Sequence, residues 1–190
     1  MKNFFFSYRS YTPIPIVILL VYFSSPSRLF VIFGIVLVFL GECIRIKSVQ
    51  YAGGITRTTK VGAPSLCTSG PYARTRNPLY LGNMIIYSGI TFIAGGPYLE
   101  KLLFMVLLYF TFQYSMIISL EEQTLKNLFP NDYKNYMVNV PRLFPRIRPW
   151  PSNDTRAPIS IKKTLATERR TLQNIFLMIT IFMLKACLKS

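Results

Sequence analysis

The chain consists largely of apolar runs separated by short polar segments. A helix needs roughly 20 apolar residues to cross the hydrocarbon core of a bilayer, and three runs approach that length. A fourth is interrupted only by Lys185, whose long side chain can reach the interface. A fifth begins with Pro13 and Pro15 and is shorter, so it is either a thin, tilted span or a segment lying in the interface. In chain order the runs are 11–23, 29–46, 80–99, 102–120 and 172–188, and they predict an all-α fold, a multi-pass integral membrane helical bundle with about five spans.

Basic residues fall in the gaps between these runs. The chain has 22 Lys and Arg against 7 Asp and Glu, and five of the basic residues lie in residues 47–76 and ten in residues 122–171. In a soluble protein this excess would point to nucleic acid, but here it is typical of loops that face an anionic cytoplasmic leaflet. We therefore expect two cytoplasmic loops, a membrane environment and no nucleic-acid partner.

The chain contains no histidine, and its three cysteines are scattered at Cys43, Cys67 and Cys187. An odd number of dispersed cysteines does not indicate a disulfide framework, and most zinc ligand sets need histidine. We expect no metal site.

The segment GPYARTRNPLYLG, residues 70–82, opens the third long apolar run. Asn77 precedes a proline and is pushed out of the helical region, whereas Pro78 suits the first position of a helix. The helix therefore begins with unpaired N–H groups, which attract an anionic group, and Tyr72 and Tyr80 can stack on an adenine or contact a sulfonium. The alternative is an interfacial anchor of the kind found at many span ends.

Acidic residues occur at two places beside the apolar runs. Glu121 and Glu122 close the fourth run, where the negative end of the helix dipole disfavours a carboxylate unless a cation, a ligand or water compensates. They either belong to a site or begin a solvated cytoplasmic helix. Glu42 precedes Arg45 by three residues, which favours a local pair that reaches the interface.

The link Gly95-Gly96-Pro97 predicts a tight antiparallel hairpin between the two runs that flank it. Six polar side chains then face each other across the hairpin, where they either hold it together or line a pocket. They are Asn83, Tyr87 and Thr91 on one run and Tyr109, Gln113 and Tyr114 on the other. Residues 152–158 are expected to be a flexible polar linker before the last helix.

The order LCTSGPYARTRNPLYLG, apolar hairpin, EEQTLKNLFPNDYKNYMVNVPRLFP resembles the membrane family of isoprenylcysteine carboxyl methyltransferases and phospholipid methyltransferases. The resemblance covers about residues 64–145 and implies an S-adenosylmethionine cofactor held in the C-terminal half of the bundle. It implies cofactor contacts from Pro64, Ser65, Leu66, Cys67, Tyr72, Asn77, Pro78, Leu79, Tyr80 and Glu121. Glu122, or a water beside it, is the expected proton acceptor, and Arg76 and Arg142 are expected to bind a lipid head group or a substrate carboxylate.

The chain departs from the pattern of that family at several positions. Asn77 replaces a histidine, so this side chain can donate and accept hydrogen bonds but cannot act as an acid or base near neutral pH. Ile117 stands where prenylcysteine-type members have an arginine that would neutralise a carboxylate substrate. Pro130 replaces the usual glycine, and Pro64 stands where many members have a second histidine.

The sequence thus predicts methyl transfer from S-adenosylmethionine to a lipid or lipid-like acceptor, of the prenylcysteine carboxylate or phospholipid amine type, at the membrane surface. Two alternatives are an NADPH-dependent membrane sterol-type reductase and a non-enzymatic membrane scaffold or transporter subunit. The predicted organisation is N-terminal membrane helices and a cytoplasmic loop in residues 1–60, a methyltransferase core in 61–150, and a linker with a C-terminal membrane helix in 151–190.

Overall fold

The computed structural model describes residues 2–53 and 64–189. These residues form seven α-helices and one 3-10 turn, Gly70–Ala73, and the expected boundary between residues 60 and 61 lies outside them. The helices are α1 (Lys2–Ser7), α2 (Ile14–Phe23), α3 (Arg28–Ala52), α4 (Pro78–Ala94), α5 (Leu99–Leu128), α6 (Pro130–Asn139) and α7 (Ile161–Lys189). The predicted all-α membrane bundle is confirmed.

Within the described residues, three helices are long and apolar enough to cross a membrane, namely α3, α5 and α7. The apolar α4 is shorter, with 17 residues, and lies within the bundle. Helix α2 has only 10 residues. At 1.5 Å per residue it is about 15 Å long, roughly half the hydrocarbon thickness, so it does not span alone and packs against α4 instead.

Helices α3 and α4 are the most extensively packed pair in the structure, and glycines lie at their contact. Gly34 lies against Gly89, and seven residues further along α3 Gly41 lies against Gly82. A methyl group added at Gly41 would sit 2.6 Å from Cγ1 of Ile86 and 2.8 Å from the carbonyl oxygen of Gly82. Side chains larger than hydrogen would separate the helices, so these glycines set the distance between them.

The hairpin between α4 and α5 forms as predicted. Gly95 and Gly96 both have positive φ, and the N–H of Gly95 bonds back to the carbonyl of Thr91. Helix α5 then continues to Leu128, two turns beyond the expected end of the run. Glu121 and Glu122 are therefore inside a helix and not at its C-terminus, which removes the dipole penalty expected for them.

The helices alternate in direction and define two ends of the bundle. At the hairpin end, the N–H of Ser25 bonds to the carbonyl of Ala94, and Lys185 Nζ donates to the carbonyl of Tyr22 at 2.7 Å. The opposite end, which we call the motif end, collects the C-terminal parts of α3 and α5 with the N-terminal parts of α4 and α7. Residues 70–82, which we call the doorway, lie at this end.

Polar groups of the hairpin do not all meet each other. Tyr87 stacks on Phe110 with ring centroids 4.1 Å apart. Tyr109 Oη instead donates to the carbonyl of Thr12 at 2.7 Å, and Gln113 Nε2 lies 3.5 Å from the carbonyl of Arg9. Two of the six predicted polar residues thus fasten the N-terminal segment, residues 2–13, to α5.

Candidate functional site

A cavity of about 730 Å³ lies at the motif end of the bundle. Its walls come from the N-terminal segment, the ends of α3 and α5, the start of α4, the residues before the 3-10 turn, and the first half of α7. The volume is within the range of about 300–1,000 Å³ that is usual for small-molecule sites. One side of the cavity is polar, and the other reaches apolar side chains between α4 and α7.

The structure brings nearly all of the sequence-predicted site residues to this one cavity. Arg142 is the exception, because it lies beside Glu122 but does not line the cavity wall. The predicted residues that do line it are Pro64, Ser65, Leu66, Cys67, Tyr72, Arg76, Asn77, Pro78, Leu79, Tyr80, Glu121 and Glu122. Their roles stay predictions, and their common location is an observation.

The doorway is held in place by hydrogen bonds that it donates to the segment after α6. Pro78 occupies the first turn of α4, as predicted, and Asn77 does not cap the helix with its side chain. Instead Asn77 Nδ2 donates to the carbonyl of Arg142 at 2.8 Å, while the N–H of Arg76 donates to the carbonyl of Pro141 at 2.9 Å. Asparagine thus replaces the histidine of the family pattern with an amide that ties two loops together.

Glu121 lies against the start of α4. The hydroxyl of Tyr80 donates to Glu121 Oε1 at 2.7 Å, and both residues line the cavity. A charged carboxylate inside a membrane bundle is energetically unfavourable unless a partner or a ligand compensates its charge. Glu121 is therefore a candidate to bind a cation in the cavity.

Glu122 is engaged differently from Glu121. Arg76 donates to Glu122 Oε1 at 2.9 Å, and Arg142 Nε lies 3.3 Å from Oε2. Arg76 also donates to the carbonyl of Val140 at 2.7 Å. Both carboxylate oxygens therefore face guanidinium groups, and this geometry favours a structural role that joins α5 to the doorway over the expected role as proton acceptor.

Two titratable groups outside the spans lie beside the cavity in their neutral forms. Burial raises the pKa of the Tyr72 hydroxyl well above its usual range. The backbone carbonyl of Tyr72 accepts a hydrogen bond from Tyr136 Oη at 2.7 Å. Burial also raises the pKa of the Cys67 thiol. Neither residue is therefore an anionic nucleophile at neutral pH.

The segment 152–158 is not the free linker that its composition suggested. Asp154 Oδ2 accepts the N–H of Thr68 at 2.8 Å and the hydroxyl of Ser69 at 3.1 Å. Arg156 donates to Ser65 Oγ at 2.7 Å and lies 3.9 Å from Asp154 Oδ1. These contacts fix the segment before the 3-10 turn, which forms one wall of the cavity.

Several cavity residues could not be assigned from the sequence. Arg9 comes from the N-terminal segment, while Arg45 and Glu168 come from α3 and α7. The expected local pair of Glu42 with Arg45 exists at 3.6 Å, but both side chains are only 10% exposed. The pair does not reach the interface, because α7 covers it and supplies Glu168.

The bundled apolar helices and the cavity with its paired glutamates define a helical membrane protein with a small-molecule site at one end. The family model of phospholipid methyltransferases matches residues 29–132, which is more than half of the chain. The chain belongs to the phospholipid methyltransferase family, and the resemblance noted from its motifs is confirmed.

A curated relative is the cobalt-zinc-cadmium resistance protein CzcN of Cupriavidus metallidurans (strain ATCC 43123 / DSM 2839 / NBRC 102507 / CH34). It is 30% identical over 123 residues, covering 64% of this chain and 51% of the relative, so the chain spans about half the length of that protein. No solved structure matches the chain.

Proposed function

We propose that the protein transfers a methyl group from S-adenosylmethionine to a lipid or lipid-like acceptor at the membrane surface. The observation that carries this proposal is the single cavity lined by the family's motif residues from three separate parts of the chain. The family membership supports methyl transfer, and the cavity supports a place where a cofactor and an acceptor can meet.

The polar side of the cavity fits the charged and aromatic groups of the cofactor. Glu121 offers a carboxylate to an ammonium or a sulfonium, and Tyr80 and Tyr72 add aromatic faces beside it. Residues Pro64 to Cys67 pass along the wall and are held there by Arg156. S-adenosylmethionine, when bound, supplies an activated methyl group on a positively charged sulfur.

The protein's own contribution to this reaction is alignment and exclusion of water. In methyl transfer a lone pair of the acceptor forms the new bond to carbon while the bond from carbon to sulfur breaks, so the sulfur leaves neutral. An amine acceptor must also lose a proton. Glu121 and Glu122 both line the cavity, but the oxygens of Glu122 face two arginines, and we propose a water beside Glu121 as the acceptor of that proton.

Apolar side chains form the other side of the cavity and suit the hydrocarbon part of an acceptor. Ile86 and Ile90 of α4 and Ile175 and Met178 of α7 line it and belong to one apolar cluster. Ile117, which stands where prenylcysteine-type members have arginine, is fully buried and does not line the cavity. The absence of a cation from this position supports a phospholipid amine over a prenylcysteine carboxylate.

The orientation of the chain is part of the same proposal. The described parts of both basic loops lie at the motif end, and the positive-inside rule predicts that this end faces the cytoplasm. Single cysteines at Arg74 and Asn131, in a chain lacking Cys43, Cys67 and Cys187, should be labelled from the cytoplasmic side. Labelling of the two positions from opposite sides would contradict a shared site.

Isothermal titration of the detergent-purified protein tests the function itself. We expect S-adenosylmethionine to bind and NADPH not to bind, followed by transfer of a labelled methyl group to lipid vesicles that contain phosphatidylethanolamine. Binding of NADPH alone would support the reductase, and binding of neither would support the scaffold. Methylation of a farnesylcysteine in place of the phospholipid would reassign the acceptor.

A further inference from the structure

The N-terminal segment forms a wall of the cavity although it lies outside the part of the chain that matches the family model. Phe6, Arg9 and Pro13 line the cavity, whereas the match begins at residue 29. Phe6 is buried, with 5% of its surface exposed, and the ring of Phe5 meets Phe112 of α5 edge to face at 5.7 Å. This segment is therefore an integral part of the site wall.

Bonds to α5 fix the position of Arg9. Tyr109 Oη donates to the carbonyl of Thr12, and Gln113 Nε2 lies 3.5 Å from the carbonyl of Arg9 itself. The guanidinium lies 4.4 Å above the ring of Phe6 and donates to the Phe6 carbonyl at 3.1 Å. Gln113 and Glu121 are eight residues apart on α5, so Arg9 is anchored about two turns from the site carboxylate.

The positive charge of Arg9 acts on the same part of the cavity as Glu121. Both Glu121 and Tyr80 feel the charge of Arg9 electrostatically, and all three residues line the cavity. A guanidinium and a carboxylate thus line the same cavity and interact electrostatically.

We propose that Arg9 binds the carboxylate of S-adenosylmethionine while Glu121 binds its ammonium group. The methionine part of this cofactor is a zwitterion, and a neighbouring cation and anion complement its two charges. Arginine suits a carboxylate because its planar fork can donate two parallel hydrogen bonds. The inference rests on the proposed function, and it assigns cofactor recognition to a residue outside the matched part of the chain.

The test compares S-adenosylmethionine with its decarboxylated analogue, which keeps the sulfonium, the adenosine and the ammonium. In wild type we expect tighter binding of S-adenosylmethionine. Arg9→Gln should weaken that binding by about 10- to 100-fold and leave affinity for the analogue within about twofold, because the analogue has no carboxylate to lose. Arg9→Lys keeps the charge and should recover part of the preference.

The exposed Arg28, which does not line the cavity, provides the matched control. Arg28→Gln removes the same charge and should bind both ligands as wild type does. Equal weakening of both ligands by Arg9→Gln, or no weakening of either, would overturn the proposal, as would a loss confined to the lipid acceptor. If Arg9→Gln does not fold, the Arg9→Lys variant provides the test. An unchanged preference of Arg9→Lys for S-adenosylmethionine over the analogue would exclude recognition of the carboxylate by the planar guanidinium. Failure of wild type to bind either ligand would instead contradict the proposed function.

Discussion

Arg45 of α3 and Glu168 of α7 form an ion pair inside the bundle, with only 10% and 1% of their side chains exposed. The same guanidinium donates to Asn83 of α4 and lies 3.5 Å from the hydroxyl of Thr171. One arginine thus connects three helices at the floor of the cavity. This matters most for α7, because only 6% of its apolar span is buried in the bundle and few other contacts hold it.

Removing Glu168 should therefore release α7 and destabilise the protein. Loss of one partner from a buried ion pair costs up to about 3–5 kcal/mol, because the remaining charge stays in a poorly solvated place. Glu42, 3.6 Å from Arg45, offsets part of this cost. We expect Glu168→Ala to lower the thermal unfolding midpoint in detergent far more than Glu100→Ala, which removes an exposed carboxylate at the other end of the bundle. Equal midpoints for the two variants would show that the pair does not hold α7.

The sequence predicted which residues lie together at the cavity better than it predicted the packing around them. The residues of the doorway and Glu121 can be recognised from the sequence, because local turn residues and the order of the family's motifs mark their positions. Arg45 and Glu168 lie 123 residues apart, and no periodicity within either helix reveals such a partner. Of the contacts of Arg45, spacing reveals only the local pair with Glu42, and that pair is buried in the bundle where the sequence predicted it at the interface.

The fold shows the same division between local and long-range information. Gly95 and Gly96 placed the hairpin correctly, because turn residues act locally. The close pairing of α3 with α4 did have a signal, since Gly34 and Gly41 are seven residues apart, as are Gly82 and Gly89. Small residues at such a spacing form one helix face and favour close contact in membranes.

Glu121 and Glu122 should respond differently to loss of charge. Glu121→Gln should weaken S-adenosylmethionine binding by about 1.5–3 kcal/mol, which is the loss of one charge-assisted hydrogen bond. Glu122→Gln should affect affinity less and stability more, because its carboxylate holds Arg76. Titration calorimetry together with thermal unfolding separates the two effects, and negligible changes in affinity from both would leave neither residue in the site.

Asp154 should make stability depend on pH in the acidic range. Burial acts to raise its pKa, but hydrogen bonds from the N–H groups of Thr68 and Arg156, the Ser69 hydroxyl and the Arg156 charge together lower it below 3.8. A pKa lowered in the folded state stabilises the protein above the unfolded-state value, and the contribution is lost as the pH falls through the folded-state value.

The unfolding midpoint of wild type should therefore exceed that of Asp154→Asn by about 1–4 °C near neutral pH. This difference should shrink as the pH is lowered from 7 through about 4 toward 3. Asn153→Ala, which changes the exposed and uncharged neighbour of Asp154, is the control and should show no such trend. A constant difference between wild type and Asp154→Asn across the range would mean that ionisation of Asp154 does not stabilise the loop.

Gly41→Ala tests whether the spacing of α3 and α4 controls the site. Alanine favours a helix over glycine by about 1 kcal/mol, so without close packing the variant would be more stable than wild type. The contacts with Ile86 and Gly82 predict the opposite, a loss of about 1–3 kcal/mol from overpacking. Val36→Ala, on the exposed face of the same helix, should change stability little. Because Arg45 lies one turn beyond Gly41, separation of the helices should also weaken cofactor binding, and a stabilised Gly41→Ala variant with normal affinity would contradict this geometry.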